Sequence, residues 1–125
     1  MGRPTVAVLG ASVQRRKFGN KAVRAYKHAG YDVYPINLKV GEIEGLTAYA
    51  SLDEVPLDRL DAVTIYLPAP VVVGLLDQVA RKSPAEVWLN PGTASREVVA
   101  RAESLGLNII QACSILGVGE HPDRL

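Results

Sequence analysis

The sequence predicts an α/β fold in which a doubly wound, five-stranded parallel sheet lies between two layers of helices. Three observations predict it. Short apolar, β-branched runs alternate with segments of helical period. The runs read as continuously apolar, as strands buried on both faces do. The segments between them are long enough to be crossovers, whose right-handed sense makes neighbouring strands parallel. The architecture is Rossmann-like and three-layered (α/β/α), and 125 residues suit one domain, taken as residues 1–125.

The elements follow in order. Thr5 to Leu9 is the first strand, ended by Gly10. Asn20 to Ala29 is a helix with Val23 and Tyr26 on one face and Lys21, Arg24 and His28 on another; Gly30 is its stop. Tyr31 to Ile36 is the second strand. Lys39 to Tyr49 reads as irregular, punctuated by Gly41 and Gly45. Ser51 to Val55 has the spacing of a helical turn with a capping box, Ser51 to Glu54. Ala62 to Leu67 is the third strand, closed by Pro68. Val71 to Arg81 reads as one full helix with Val72, Leu75, Leu76 and Val79 inward. Glu86 to Leu89 is the fourth strand. Ser95 caps a helix running to Leu105, with Val98, Val99, Ala102 and Leu105 inward and Gly106 after it. Leu107 to Ile110 is the fifth strand, and the tail from Ala112 onward shows no period.

Composition narrows the function. Apolar residues make up 48%, enough for one continuous core. The net charge of +1 argues against a general nucleic-acid binder, which needs a broad basic face. No apolar run approaches a membrane span, no signal peptide is expected, and one cysteine, Cys113, allows no internal disulfide. A cytoplasmic protein is the expectation. The charge is uneven. No acid precedes Asp32, whereas Arg15, Arg16, Lys17, Lys21, Arg24 and Lys27 crowd one segment. A local cationic segment suits an anionic small molecule; Arg24 and Lys27 read as a solvated helix face.

In sheets of this kind ligands bind beyond the C-terminal strand edges. Four stretches should meet there: Gly10 to Lys21, Asn37 to Gly41, Pro68 to Val71 and Leu89 to Ser95. The first lacks the G-x-G-x-x-G fingerprint. It keeps a glycine turn at Gly10-Ala11-Ser12, a hydroxyl at Ser12, and helix N-terminal amides near Gly19, Asn20 and Lys21, the parts of a phosphate site. The inserted loop, Val13, Gln14, Arg15, Arg16, Lys17 and Phe18, could surround a polyphosphate. After the second strand comes Asn37-Leu38-Lys39, with none of the acids that hold an NAD ribose. Lys39 suits a phosphate instead, as in NADP or the 3′-phosphate of coenzyme A (CoA), or is an exposed loop lysine. Pro68-Ala69-Pro70 either contacts adenine or caps the next helix rigidly. In Leu89-Asn90-Pro91-Gly92, Asn90 offers donors and an acceptor and Gly92 permits close backbone approach. His28 and His121 form no catalytic order with a nucleophile, no metal-ligand spacing occurs, and Cys113 reads as a small buried residue or a reactive thiol near the ligand.

These residues resemble the CoA-binding domain family, in its stand-alone bacterial members and in the N-terminal domain of the succinyl-CoA synthetase alpha subunit. The resemblance covers about residues 4 to 113. It rests on Gly10-Ala11-Ser12, Gly30 to Asn37, Ile43-Glu44-Gly45 with Tyr49 and Ser51-Leu52, Trp88 before the loop ending in Gly92, Ala102 to Gly106, and Cys113. Ile65 to Pro70 looks like the synthetase version. The resemblance implies CoA contacts from Ser12, Val13 and Gln14, from Lys39, and from Leu89, Asn90 and Pro91. The chain departs from stand-alone relatives at Leu38, where they usually have proline, and at Leu89 to Gly92, where they often have Gln-x-Gly. The synthetase's catalytic histidine belongs to a second domain outside the resemblance. The expectation is therefore a non-catalytic CoA or acyl-CoA binding protein. An NADP-binding domain working with a partner protein is the first alternative. A regulatory module with a vestigial pocket is the second.

Overall fold

The computed structural model describes residues 2–125. Its elements begin with β1 (Thr5–Leu9), α1 (Phe18–His28), β2 (Asp32–Ile36), β3 (Glu42–Ile43) and β4 (Leu46–Thr47). They continue with β5 (Ala62–Ile65), α2 (Ala69–Val73), α3 (Leu76–Arg81) and β6 (Glu86–Leu89). The last are α4 (Arg96–Ser104), β7 (Ile109–Ile110) and α5 (Ser114–Gly117). Short 3-10 turns lie at Leu52–Glu54 and Pro122–Arg124.

The main sheet has five parallel strands in the order β2-β1-β5-β6-β7. Strand alternation divides the core in two. Ala7 and Leu9 of β1 join Val63, Ile65, Val87 and Leu89 against α2, α3 and α4. Val6 and Val8 point the other way, onto Ala22, Val23 and Tyr26 of α1 and Ile115 of α5. The chain leaves β1 for β2, then crosses back to β5, so strand order reverses between β1 and β5. A crevice opens there beyond the strand ends.

Several sequence expectations need correction. The helix expected over 71–81 is two, because Gly74 and Leu75 bond back three residues, to Val71 and Val72, and tighten the turn. Residues 39–49 contain the β3–β4 hairpin, whose Glu44 and Gly45 both have positive φ (51° and 78°). Tyr49 then pairs alongside Ile36 at the end of β2. The capping box at Ser51 does not close: its hydroxyl is 3.5 Å from the Glu54 carboxylate and caps no backbone amide. The tail, without period in the sequence, forms α5 and packs on α1.

Candidate ligand-binding cleft

Two glycines shape the crevice. Gly10 leaves β1 at φ 84°, and a Cβ there would lie 2.6 Å from the Tyr66 carbonyl oxygen. Gly19, in the first turn of α1, faces Gly10 so closely that a Cβ would collide with the Gly10 carbonyl. Helix and strand ends can approach this far only without side chains. The result is a helix N-terminus, capped by no described side chain, opening onto the crevice beside Lys17 and Ser12. Its first-turn amides and dipole favour an anion. The Ser12 oxygen accepts a hydrogen bond from the Gln14 amide at 3.0 Å, which leaves its O–H free to donate outward.

The central cleft, about 720 Å³, is lined by Gly10, Ala11, Ser12, Lys17, Phe18 and Gly19, by Asn37, by Tyr66 to Pro68, and by Pro91 to Thr93. All four expected stretches therefore meet at the strand edge. A second cleft of about 410 Å³ adjoins it, shares Gly10, Ala11, Asn37 and Leu67, and is walled by Leu38, Lys39, Leu52, Val71 and Leu75. Lys39 is exposed on its rim. Asn37 sets that rim. Its side-chain amide donates to the Ala11 carbonyl at 2.9 Å, and its oxygen accepts from the amides of Lys39 and Val40.

Other expected site residues lie elsewhere. Asn20 is buried: it donates to the Ser12 carbonyl at 2.8 Å and to Glu44 at 3.1 Å, and accepts from Arg24 at 2.8 Å. It holds the loop rather than facing the cleft. Most of the cationic segment is likewise engaged within the protein. Arg24 bonds the Arg15 carbonyl, Arg15 lies 3.6 Å from Glu44, Lys21 bonds the Pro122 carbonyl and Lys27 the Glu44 carbonyl. Arg24 is thus a half-buried anchor rather than part of a solvated face, whereas Lys27 bonds a carbonyl yet stays exposed, as expected. Arg16, exposed with Val13 and Gln14, stays outside the cleft wall, and of the segment's cations Lys17 alone lines it. Leu89 is core. Asn90 is also buried, bonding the Thr64 hydroxyl (2.7 Å), the Ile65 carbonyl (2.9 Å) and the Ser114 amide (2.8 Å), so it has none of the expected donors to spare. Pro68 lines the cleft, whereas Ala69 and Pro70 begin α2 behind it.

Sequence reasoning missed Tyr66 and Leu67 as wall residues, and held Phe18 and Thr93 only as members of longer stretches. Tyr66 was expected within the third strand, but β5 stops at Ile65 and Tyr66 turns into the wall. Its hydroxyl meets Ser114 at 3.0 Å, and Ser114 meets Thr64 at 2.7 Å. Burial pushes the Tyr66 phenol up to about 12. Among the described residues, no cluster of acids, histidines and cysteine has metal-binding geometry. His28 pairs with Glu120 and His121 with Asp123, both away from the clefts. Half-buried Cys113 packs with the α1 face of the core. No helix among the described residues is long and apolar enough to cross a membrane.

Residues 4–119 match a family model described as a CoA binding domain. The chain belongs to that family. It is 36% identical over 137 residues to the alpha subunit of acetate–CoA ligase (ADP-forming) I of Pyrococcus furiosus, covering 97% of this chain and 29% of that protein. It is 30% identical over 115 residues to acetate–CoA ligase (ADP-forming) I of Archaeoglobus fulgidus, covering 84% of this chain and 17% of that protein. The chain therefore spans less than a third of these ligases. Among solved structures, a hypothetical protein of Pyrococcus horikoshii OT3 aligns with a TM-score of 0.83 at 28% identity, covering 89% and 78% of the two chains. An acetyl-coenzyme A synthetase 1 of Ca. Korarchaeum cryptofilum aligns at 0.74 and 28%, covering 86% of this chain and 25% of that one. This is a CoA-binding domain related to CoA-ligase subunits, which leaves the NADP alternative without support.

Proposed function

We propose that the chain binds CoA or an acyl-CoA and by itself carries out no chemistry on it. The observation that carries this reading is the notch between Gly10 and Gly19, where an uncapped helix N-terminus meets Lys17 at the strand reversal. In this reading the pyrophosphate sits over the notch, and Ser12 donates to it. The adenosine lies over the apolar second cleft, with Lys39 reaching its 3′-phosphate and Pro68 flanking it from the wall of the central cleft. Any step that makes or breaks a thioester falls outside residues 1–125, as the greater length of the ligase relatives suits.

Titration calorimetry tests it with CoA, NADP and the Ser12→Asp variant. CoA should bind the native protein and NADP should not. The aspartate places a carboxylate where the phosphate belongs and should abolish binding without unfolding the domain. NADP binding in place of CoA overturns the reading. Unchanged CoA affinity in Ser12→Asp removes the notch from it.

A further inference from the structure

We propose that the β7 edge and the outer face of α4 form an interface between two copies of this chain, related by a two-fold axis that joins their sheets into one. The inference is independent of what fills the clefts.

The two edges of the sheet are finished differently. At the β2 edge Pro35 has no N–H to present, and Tyr49 covers the strand: it donates to the Pro35 carbonyl and accepts from the Asn37 amide, both at 2.9 Å. A proline and a covering segment protect an edge from pairing. The β7 edge has neither, and residues 107–112 include no proline and no charge. The Val87 amide donates to the Asn108 carbonyl at 2.9 Å, in a register that sets Val87 beside Ile109. Asn108 and Ile110 therefore turn their backbone groups to β6, and Ile109 turns its N–H and C=O to the open side. Such a strand pairs antiparallel with its own copy when the axis passes through Ile109, because residues directly opposite then exchange both hydrogen bonds.

The helix above carries a matching pattern. Arg96, Val99, Ala100 and Glu103 follow the i, i+3, i+4, i+7 spacing of one helix face. That face borders a trough of about 440 Å³ together with Gln111, on the β7 side. On the opposite flank Arg101 bonds Asp77 of α3 at 2.7 Å. Arg96 and Glu103 are exposed, and among the described residues neither side chain has an ion pair or a hydrogen bond. The midpoint of the stripe falls between Val99 and Ala100. Reversing the helix therefore sets Arg96 opposite Glu103 of the second copy, Glu103 opposite its Arg96, and Val99 opposite its Ala100. The face is complementary to itself, as a two-fold contact requires.

Strand and helix share one axis. Gln111 and the start of α4 border the same trough. The midpoint of the stripe lies roughly 7 Å along the helix from Ser95, and Ile109 lies about 6.6 Å along the strand from Gln111. Ile109 is half-buried on the α4 side of the sheet, so it meets its own copy beneath the paired helices. The C-terminal strand edges of the two copies then point in opposite directions, and both central clefts, at β1 and β5, stay open.

Sedimentation equilibrium of the whole chain tests this from about 1 µM to about 1 mM, the range of weak interfaces. The parent chain should pass from monomer to dimer and stop there, since a two-fold contact closes on itself. Arg96→Glu opposes carboxylates twice and Glu103→Arg opposes cations twice, so each should weaken the dimer by at least about tenfold. Both positions are exposed, which spares the fold, and circular dichroism checks it. An equimolar mixture of the two single variants restores both opposite-charge pairs and should dimerise as the parent does. Ile109→Pro removes the outward donor and should weaken the dimer too. A chain that stays monomeric up to about 1 mM overturns the proposal and leaves this edge to a different protein. A dimer indifferent to both charge variants, a mixture that fails to recover, or growth beyond the dimer overturns it as well.

Discussion

The carbonyl oxygen of Gly10 fills the space that a Cβ on Gly19 would need. Strand end and helix start are thereby locked together across an eight-residue loop, and the notch they form is the most constrained part of the cleft.

The first prediction follows from that contact. Alanine is the better helix former by roughly 0.5–1 kcal/mol. Gly19→Ala should nevertheless destabilise the protein by about 1–3 kcal/mol, as overpacking against fixed backbone does. Gly74→Ala is its counterpart. Gly74 has φ −79° and an added Cβ would only touch the Val71 carbonyl at 3.7 Å, so the change should stabilise by about 0.4–1 kcal/mol. Urea unfolding midpoints of the two variants should move in opposite directions. A Gly19→Ala protein as stable as the parent would show that α1 shifts freely.

Asn90 is expected to act through structure. Asn90→Ala leaves the buried Ser114 amide without its acceptor, and removes the Asn90 donor from the Thr64 hydroxyl and the Ile65 carbonyl. A buried unsatisfied group costs about 1–3 kcal/mol, so the melting temperature should fall. CoA affinity, measured well below the new melting temperature, should fall far less than in Ser12→Asp. Lost affinity at unchanged stability would instead make Asn90 a ligand contact.

Lys39 is expected to distinguish CoA from dephospho-CoA. Lys39→Ala should weaken CoA by about 10- to 150-fold, the range for a charge-assisted hydrogen bond, and leave dephospho-CoA nearly unaffected. The parent's preference for CoA should shrink as salt rises, since Lys39 is exposed. Equal losses for both ligands would move Lys39 onto the pyrophosphate.

Alkaline pH should unfold the domain through its tyrosines. Burial raises Tyr26 above the usual 10.0, and raises Tyr66 to about 12. The folded state therefore holds these protons more tightly than the unfolded chain. The stability this contributes is fully present below about pH 10 and is lost as pH rises towards 12 and beyond. Phenolate absorbance should show late-titrating tyrosines whose ionisation coincides with unfolding. Tyr66→Phe should retain more of its own stability across that range than the parent. Complete, reversible titration near pH 10 in a folded protein would contradict the burial.

What the sequence determined by itself is local or periodic. Apolar runs and helical spacing marked the five strands and most of the helices, because burial on both faces leaves a run such as Thr5 to Leu9 almost wholly apolar. Glycines and prolines marked where the chain turns, and those that follow strands, Gly10, Pro68 and Gly92, lie at the ligand edge of the parallel sheet. Tertiary structure decided which polar side chains face that edge. Asn20 and Asn90 look like ligand donors in one dimension, yet both are consumed by partners far along the chain, Glu44 and Ser114 among them. The cationic segment reads as a phosphate trap, but carbonyls of Arg15, Glu44 and Pro122 engage three of its members. Tyr66 belonged to a strand by pattern, and only the end of β5 at Ile65 turned it into the wall. The physical reason is the same in each case. Periodicity follows from a chain's own geometry, whereas a hydrogen bond depends on a partner whose position is fixed only when the whole sheet closes.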